Sequence, residues 1–278
     1  SKLSSMPTIP DVDFAAVLGD PVEHSLSPTL HRAAYAALGI DWRYEKFRVP
    51  ETEFDAFMDE LPRQCRGLSL TMPLKEAAFG RAVEHDEAST LTLACNTLIP
   101  SPRGWQGFNT DVPGFVSALR GAGVASVETA VVLGAGATAR SAIVALLRLG
   151  VSRVAVSARR AAAVDVLRTA FPALSIERVE WGTPLPSVDV VISTLPAGVA
   201  DGLHLPAAPV VFDVVYAPWP TALVQQAKGR IVLGGLDLLV AQAVEQVLLM
   251  TGADESVRGS LSATMYAAGL VEQAQRTS

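Results

Sequence analysis

The chain is poor in the residues that build metal centres and disulfide frameworks. Its 278 residues include two cysteines and four histidines. Cys65 and Cys95 lack the short spacing of a zinc or redox pair, so neither a stapled secreted fold nor a metal site is expected. Buried thiols in a reducing cytosol are the simpler reading. Charge is sparse too: 18% of residues are charged, the net charge is −6 and the pI is about 5.3. That balance argues against a nucleic-acid partner but leaves room for a small anion at a locally basic site. Long apolar runs are missing. The most apolar late stretch, GGLDLLVAQAVEQVLLM (234–250), is broken by Asp237, Gln242 and Glu245 and is too polar to span a bilayer. The opening SKLSSMPTIPDVD has no apolar core followed by a cleavage site, so no signal peptide is expected. A cytoplasmic protein without a membrane partner follows.

What is present is core-forming material. Hydrophobic residues make up 50% and mean hydropathy is +0.33, enough for one large or two ordinary domains. Strand signals at FAAVLGD, WRYEKFRV (42–49), GLSLTM (67–72), CNTLIPS and GWQGFNTD alternate with helical spacing over LHRAAYAAL, ETEFDAFMDEL (51–61) and KEAAFGRAVEH. The proline after Ser27 suits a helix start with Ser27 as N-cap and Pro28 at the first helical position. A helix opening at Thr110 or Asp111 then leads into a second βα series. Its strands TAVVL, RVAVS, DVVIST and PVVFDVV hold near-continuous apolar runs, as expected of a parallel sheet covered on both faces. Two helices close the chain.

The strongest chemical signal is Gly134-Ala135-Gly136-Ala137-Thr138-Ala139, between a strand and a helix. This is the G-x-G-x-x-A dinucleotide fingerprint in its required context. Gly134 makes the tight turn, Gly136 admits a pyrophosphate to the backbone, and the helix N-terminus favours phosphate. The next strand ends in Ala158-Arg159-Arg160. An NAD site usually carries an acid there for the ribose hydroxyls; two guanidinium groups suit the 2′-phosphate of NADP instead. In the first half, Lys75 stands at the mouth of a helix, where the dipole disfavours a cation, and so suggests a task. Asn96 in ACNTL and Asp111 in FNTD also fit as turn or cap residues.

Together these segments resemble the shikimate dehydrogenase family. HSLSP, LTMPLK, ACNTL, GFNTD, GAGATA, SARR, VVYAPWPT and GGLDLLVAQA occur in family order across nearly the whole chain. The resemblance implies an α/β fold of two domains with a cleft between them. The N-terminal one, a mainly parallel substrate domain over 1–111, is completed by 237–278; the other, 112–236, is a Rossmann-type NADP domain. It implies reversible reduction of 3-dehydroshikimate to shikimate by NADPH, in aromatic amino acid biosynthesis. Matched residue by residue, Ser25 and Ser27 bind the substrate carboxylate, with Tyr216 nearby. Thr71, Asn96, Asp111 and Gln242 contact ring hydroxyls. Lys75 is catalytic, as a proton donor or a cation at the developing alkoxide, with Asp111 beside it. On the cofactor side stand Gly134, Ala135, Gly136, Ala137 and Thr138, with Arg159 and Arg160; Val214 and Gly235 line the nicotinamide, and Glu87 matches a residue associated with the cofactor. No metal is implied, and the assembly would be a monomer or homodimer.

The chain departs from the family pattern at Ser69, usually Asn, at Ala158 and Ala163 around the cofactor arginine, and at Asp237. An NAD-linked quinate/shikimate dehydrogenase and a non-catalytic ligand-binding paralogue are the competing expectations. The first lacks its acid after VAVS, and the second must explain why Lys75 and Asp111 are both present.

Overall fold

The computed structural model describes residues 11–277. The N-terminal stretch considered for a signal peptide lies, over residues 1–10, outside them. The chain divides into two compact units, Ser1–Thr110 with Ala243–Gly269, and Asp111–Gln242 with Leu270–Ser278. The boundary expected from sequence returned the chain to the first unit at 237 and kept the whole tail there.

In the first unit the elements run β1 (Phe14–Gly19), α1 (Ser27–Leu38), β2 (Arg43–Arg48), α2 (Phe54–Asp59), β3 (Cys65–Leu70), α3 (Lys75–Arg81), β4 (Ala82–His85), α4 (Glu87–Thr92), β5 (Thr97–Ser101) and β6 (Gly104–Phe108). They form one six-stranded sheet in the order β2-β1-β3-β5-β6-β4. β1 pairs in parallel with β2 and β3, while β5 runs antiparallel to both β3 and β6. β1 is apolar throughout because both faces are covered: Phe14, Ala16 and Leu18 enter one core with Leu68, Leu70 and Leu74, whereas Ala15 and Val17 enter another with Tyr35, Tyr44 and Met250. Cys65 and Cys95 are buried and unbridged, as expected, and burial pushes both thiols up to about 12.

The structure differs from the sequence pattern at two places. KEAAFGRAVEH is not one helix: it stops at Arg81, and Ala82–His85 pairs with β6 as an edge strand. Nor is Ser27 the cap of α1. Leu26 holds that position without a side-chain cap, and Ser25 Oγ accepts the Ser27 N–H at 3.2 Å. The local turn therefore uses the oxygen of Ser25.

The second unit contains α5 (Asp111–Gly121), β7 (Thr129–Leu133), α6 (Ala137–Arg148), β8 (Arg153–Ser157), α7 (Ala161–Ala170), β9 (Ser175–Arg178), β10 (Val190–Ser193), β11 (Val210–Asp213), α8 (Ala222–Gln225) and β12 (Ile231–Leu233). Then come α9 (Gly235–Thr251) and α10 (Arg258–Thr277), and the unit boundary falls within both of these helices. Its sheet is wholly parallel, in the order β12-β11-β10-β7-β8-β9. This is the doubly wound order, with its switch point between β7 and β10, where dinucleotides bind outside the strands' carboxyl ends. Among the described residues no helix is long and apolar enough to cross a membrane.

Candidate active site

In the first unit the chain's direction gathers the candidates. Ser25 follows the carboxyl end of β1, and Thr71 and Lys75 follow that of the adjacent parallel β3. Asn96 precedes β5, and because β5 is antiparallel to β3 it starts at that same end. Backbone bonds tie them: Leu70 N–H to Asn96 O at 2.8 Å, Cys95 N–H to Lys75 O at 2.8 Å, and Thr71 N–H to Leu18 O at 3.0 Å. A Cβ on Gly19 would lie 2.3 Å from Thr71 Cγ2, so only glycine lets the β1 end pass this threonine. Ser25, Thr71 and Lys75 are half-buried, while Ser27 and Asn96 are buried. Lys75 is the first residue of α3, as expected.

Behind them lies a buried polar network that the sequence did not announce. Asn96 Oδ1 accepts from the Thr110 N–H at 2.8 Å and from Thr97 Oγ1 at 2.9 Å, and its Nδ2 donates to Thr110 Oγ1 at 2.8 Å. Gln246 Nε2 donates to Thr97 Oγ1 at 2.9 Å and to the Asn96 carbonyl at 3.0 Å. Its Oε1 accepts from Ser69 at 2.8 Å, and Ser69 accepts from Tyr44 at 2.6 Å. Tyr44 also has the Ser27 hydroxyl beside it. His31, fully buried and stacked on Tyr44 with centroids 4.2 Å apart, lies 3.1 Å from Gln246 Oε1 through Nε2. Desolvation holds His31 down at about 4 and drives Tyr44 well above the usual phenol range. A neutral imidazole with Nε2–H donating fits an acceptor that the amide geometry fixes. Ser69, at the position where the family usually has Asn, is thus an internal member of this network.

Asp111 and Gln242 belong to the second unit. Asp111 is buried at the first turn of α5. A Cβ on Gly114, three residues on, would come within 3.1 Å of Gln242 Cβ, so this glycine lets α5 approach α9 at Gln242. Gln242 Nε2 donates to Leu239 O at 2.8 Å. Tyr216 is half-buried; its hydroxyl accepts from Arg276 Nη1 at 3.0 Å, and its carbonyl accepts from Gln273. Asp237 accepts from the Gly234 N–H at 2.7 Å, so the departure there closes the first turn of α9.

The nucleotide candidates follow carboxyl ends of parallel strands. Gly134, after β7, has φ +103°, and a Cβ there would meet Thr194 Oγ1 at 2.4 Å. Gly136 is the N-cap of α6 and makes no side-chain cap hydrogen bond, and a Cβ there would meet nothing within 4 Å. The turn is therefore shaped by Gly134 and left open at Gly136, which fits a pyrophosphate on the backbone of Ala135, Ala137 and Thr138. Arg159 and Arg160 follow β8 and are exposed, a donor set suited to a phosphate monoester. After β11 and β12, Val214 and Gly235 come together: a Cβ on Gly235 would lie 2.2 Å from Val214 O. Glu87 belongs to the first unit, exposed at the start of α4, whose cap is Asp86. No cluster of metal-ligating side chains occurs among the described residues.

Residues 17–98 match the family described as the shikimate dehydrogenase substrate binding domain. A shikimate dehydrogenase (NADP(+)) of Methylobacterium radiotolerans is 37% identical over 83% of this chain and 88% of its own. The crystal structure of Mycobacterium tuberculosis shikimate dehydrogenase superposes with a TM-score of 0.83 at 35% identity, covering 92% of this chain and 99% of that one. That of the Thermus thermophilus enzyme, in complex with NADP(H) and shikimate, gives 0.81 at 31% identity, covering 94% and 100%. Motif order, strand order and near-complete coverage agree: the chain belongs to the shikimate dehydrogenase family.

Proposed function

We propose that this protein is an NADP-dependent shikimate dehydrogenase, catalysing the reversible reduction of 3-dehydroshikimate to shikimate in aromatic amino acid biosynthesis. The observation that carries the reading is one chain holding both halves of the chemistry. A glycine turn open at Gly136 and followed by two arginines stands in one unit; Lys75, Thr71 and Asn96 stand together at the strand ends of the other. The Thermus thermophilus relative, similar over both units, binds NADP(H) and shikimate.

Most of the substrate-binding residues belong to the first unit and most of the NADP-binding residues to the second. The Ser25 oxygen accepts the Ser27 N–H, and its hydroxyl proton donates to a carboxylate oxygen of the substrate. Ser27 and Tyr216 complete the carboxylate end. Thr71, Asn96, Asp111 and Gln242 hold the ring hydroxyls, and polar groups reject analogues that leave them unpaired. Bound NADPH supplies the hydride. Backbone N–H groups from Ala135 to Thr138 hold the pyrophosphate, Arg159 and Arg160 hold the 2′-phosphate, and Val214 and Gly235 flank the nicotinamide; Glu87 stays on the cofactor side. Lys75 gives a proton to the alkoxide oxygen as it forms, the role of a general acid. The enzyme is cytoplasmic, and works as a monomer or homodimer on small molecules.

Initial rates with shikimate and with quinate, each with NADP+ and with NAD+, test the reading. Shikimate with NADP+ is expected to be the fastest pair. Quinate with NAD+ outpacing it would establish the catabolic paralogue. Measurable NADP+ binding without turnover of either substrate would establish a non-catalytic one.

A further inference from the structure

The buried network behind Asn96 has a direction, set by groups whose hydrogen-bonding role is fixed. The Asn96 carbonyl can only accept, so the Gln246 atom 3.0 Å from it is the amide nitrogen. Oε1 then faces Ser69, which must donate to it, and Ser69 in turn accepts the Tyr44 proton. On the other side, the second Nε2 proton goes to Thr97 Oγ1, which turns the Thr97 proton toward Asn96 Oδ1. The backbone N–H of Thr110 demands that same orientation of Asn96. Gln246 thereby uses both protons and both lone pairs, with His31 taking the remaining acceptor position. All of its partners are buried, where an unsatisfied polar group is costly and a satisfied network rigidifies.

We propose that Gln246 is a positioning residue for substrate binding: it sets the polarity of a relay from Tyr44 through Ser69 to Thr97 and Asn96. The relay turns the Asn96 oxygen toward the network, which makes its amide nitrogen, also a donor to Thr110 Oγ1 at 2.8 Å, the atom that donates to a ring hydroxyl oxygen. Ser69 is the matched partner of Gln246, since its short side chain gives the amide oxygen a hydroxyl donor. The inference rests on the substrate role proposed above for Asn96, and Gln246 itself touches no reacting atom.

Two near-isosteric variants cut the relay at chosen links. Gln246→Glu keeps the acceptor for Ser69 and His31 but removes the donors to Thr97 and Asn96. Thr97→Val removes only the hydroxyl between Gln246 and Asn96, and is the readable variant if a buried carboxylate prevents folding. Each is expected to raise the KM for shikimate by about tenfold, the effect of about one well-made hydrogen bond, with the KM for NADP+ unchanged. A double-mutant cycle between them is expected to be non-additive, because both act on the same link. A folded variant set with unchanged shikimate KM, or with shikimate and NADP+ KM rising together, would overturn the inference while wild-type turnover left the enzyme assignment standing. Absence of wild-type turnover of shikimate with NADP+ would overturn both.

Discussion

His31 makes the stability of the first unit depend on pH in a calculable way. Its ring is fully buried, and desolvation lowers its pKa from 6.5 to about 4. The folded state binds the proton less readily than the unfolded chain. The stabilisation is therefore complete above the unfolded value, falls as pH drops from 6.5 toward 4, and is lost below that. At about 1.4 kcal/mol for each pKa unit, the full loss is about 3 kcal/mol, of which about 2 kcal/mol is gone near pH 5. That is a large share of the stability of an ordinary domain. Carboxylates titrate in the same region, so the assay compares wild type with His31→Gln, which cannot take the proton. Urea unfolding is followed at a series of pH values between about 4 and 8, and the difference between the two proteins isolates His31. The variant carries a constant penalty for the lost stacking on Tyr44, but its stability falls less steeply on acidification, by about 2 kcal/mol at pH 5. Parallel curves for the two proteins would refute the claim that His31 is held neutral in this network.

Other outcomes follow from the site. Lys75→Ala is expected to lower kcat by about 100-fold or more with little change in shikimate affinity, the range for a lost proton donor; steady-state kinetics check it, and an unchanged kcat would remove Lys75 from the chemistry. Replacing Arg159 and Arg160 together by Ala should raise the KM for NADP+ by about tenfold or more and hardly move that for NAD+, since charge-assisted bonds to a phosphate are lost; equal shifts would mean that the pair does not read the 2′-phosphate. Gly136→Ala meets open space, so thermal unfolding should be unchanged or slightly improved, while the NADP+ KM rises about tenfold; an unchanged KM would place the pyrophosphate elsewhere. Gly235→Ala has no such room, because its methyl would press on Val214 O at 2.2 Å. A lowered Tm is expected, and a wild-type Tm would contradict that contact.

The βα series of the second unit was legible because parallel strands buried on both faces read as near-continuous apolar runs, as in AVVL and VVF. The glycine turn was legible because its chemistry is local. What escaped detection depends on partners distant in sequence. Ala82–His85 continues a helical pattern and becomes a strand only because β6 offers an edge. α4 is a six-residue helix, too short for its periodicity to register. Strand direction is not written locally, so the antiparallel β5 that brings Asn96 to the end of β3 could not be read. Gln246 was invisible for the same reason. Beside Gln242 and Glu245 it reads as one more polar break in the helix, and its partners Asn96, Thr97, Ser69 and His31 lie 149 to 215 residues away. HSLSP points to both Ser25 and Ser27, and only the folded geometry shows that the Ser25 oxygen serves the local turn.

At the centre of the reaction a hydride passes between the substrate's C3 carbon and NADP. Shikimate carrying deuterium at that carbon, incubated with the enzyme and NADP+, tests it most directly by mass analysis of the reduced nucleotide. Reduced NADP one deuterium heavier is expected, formed in step with 3-dehydroshikimate. Unlabelled reduced nucleotide, or none formed while shikimate is consumed, would contradict it.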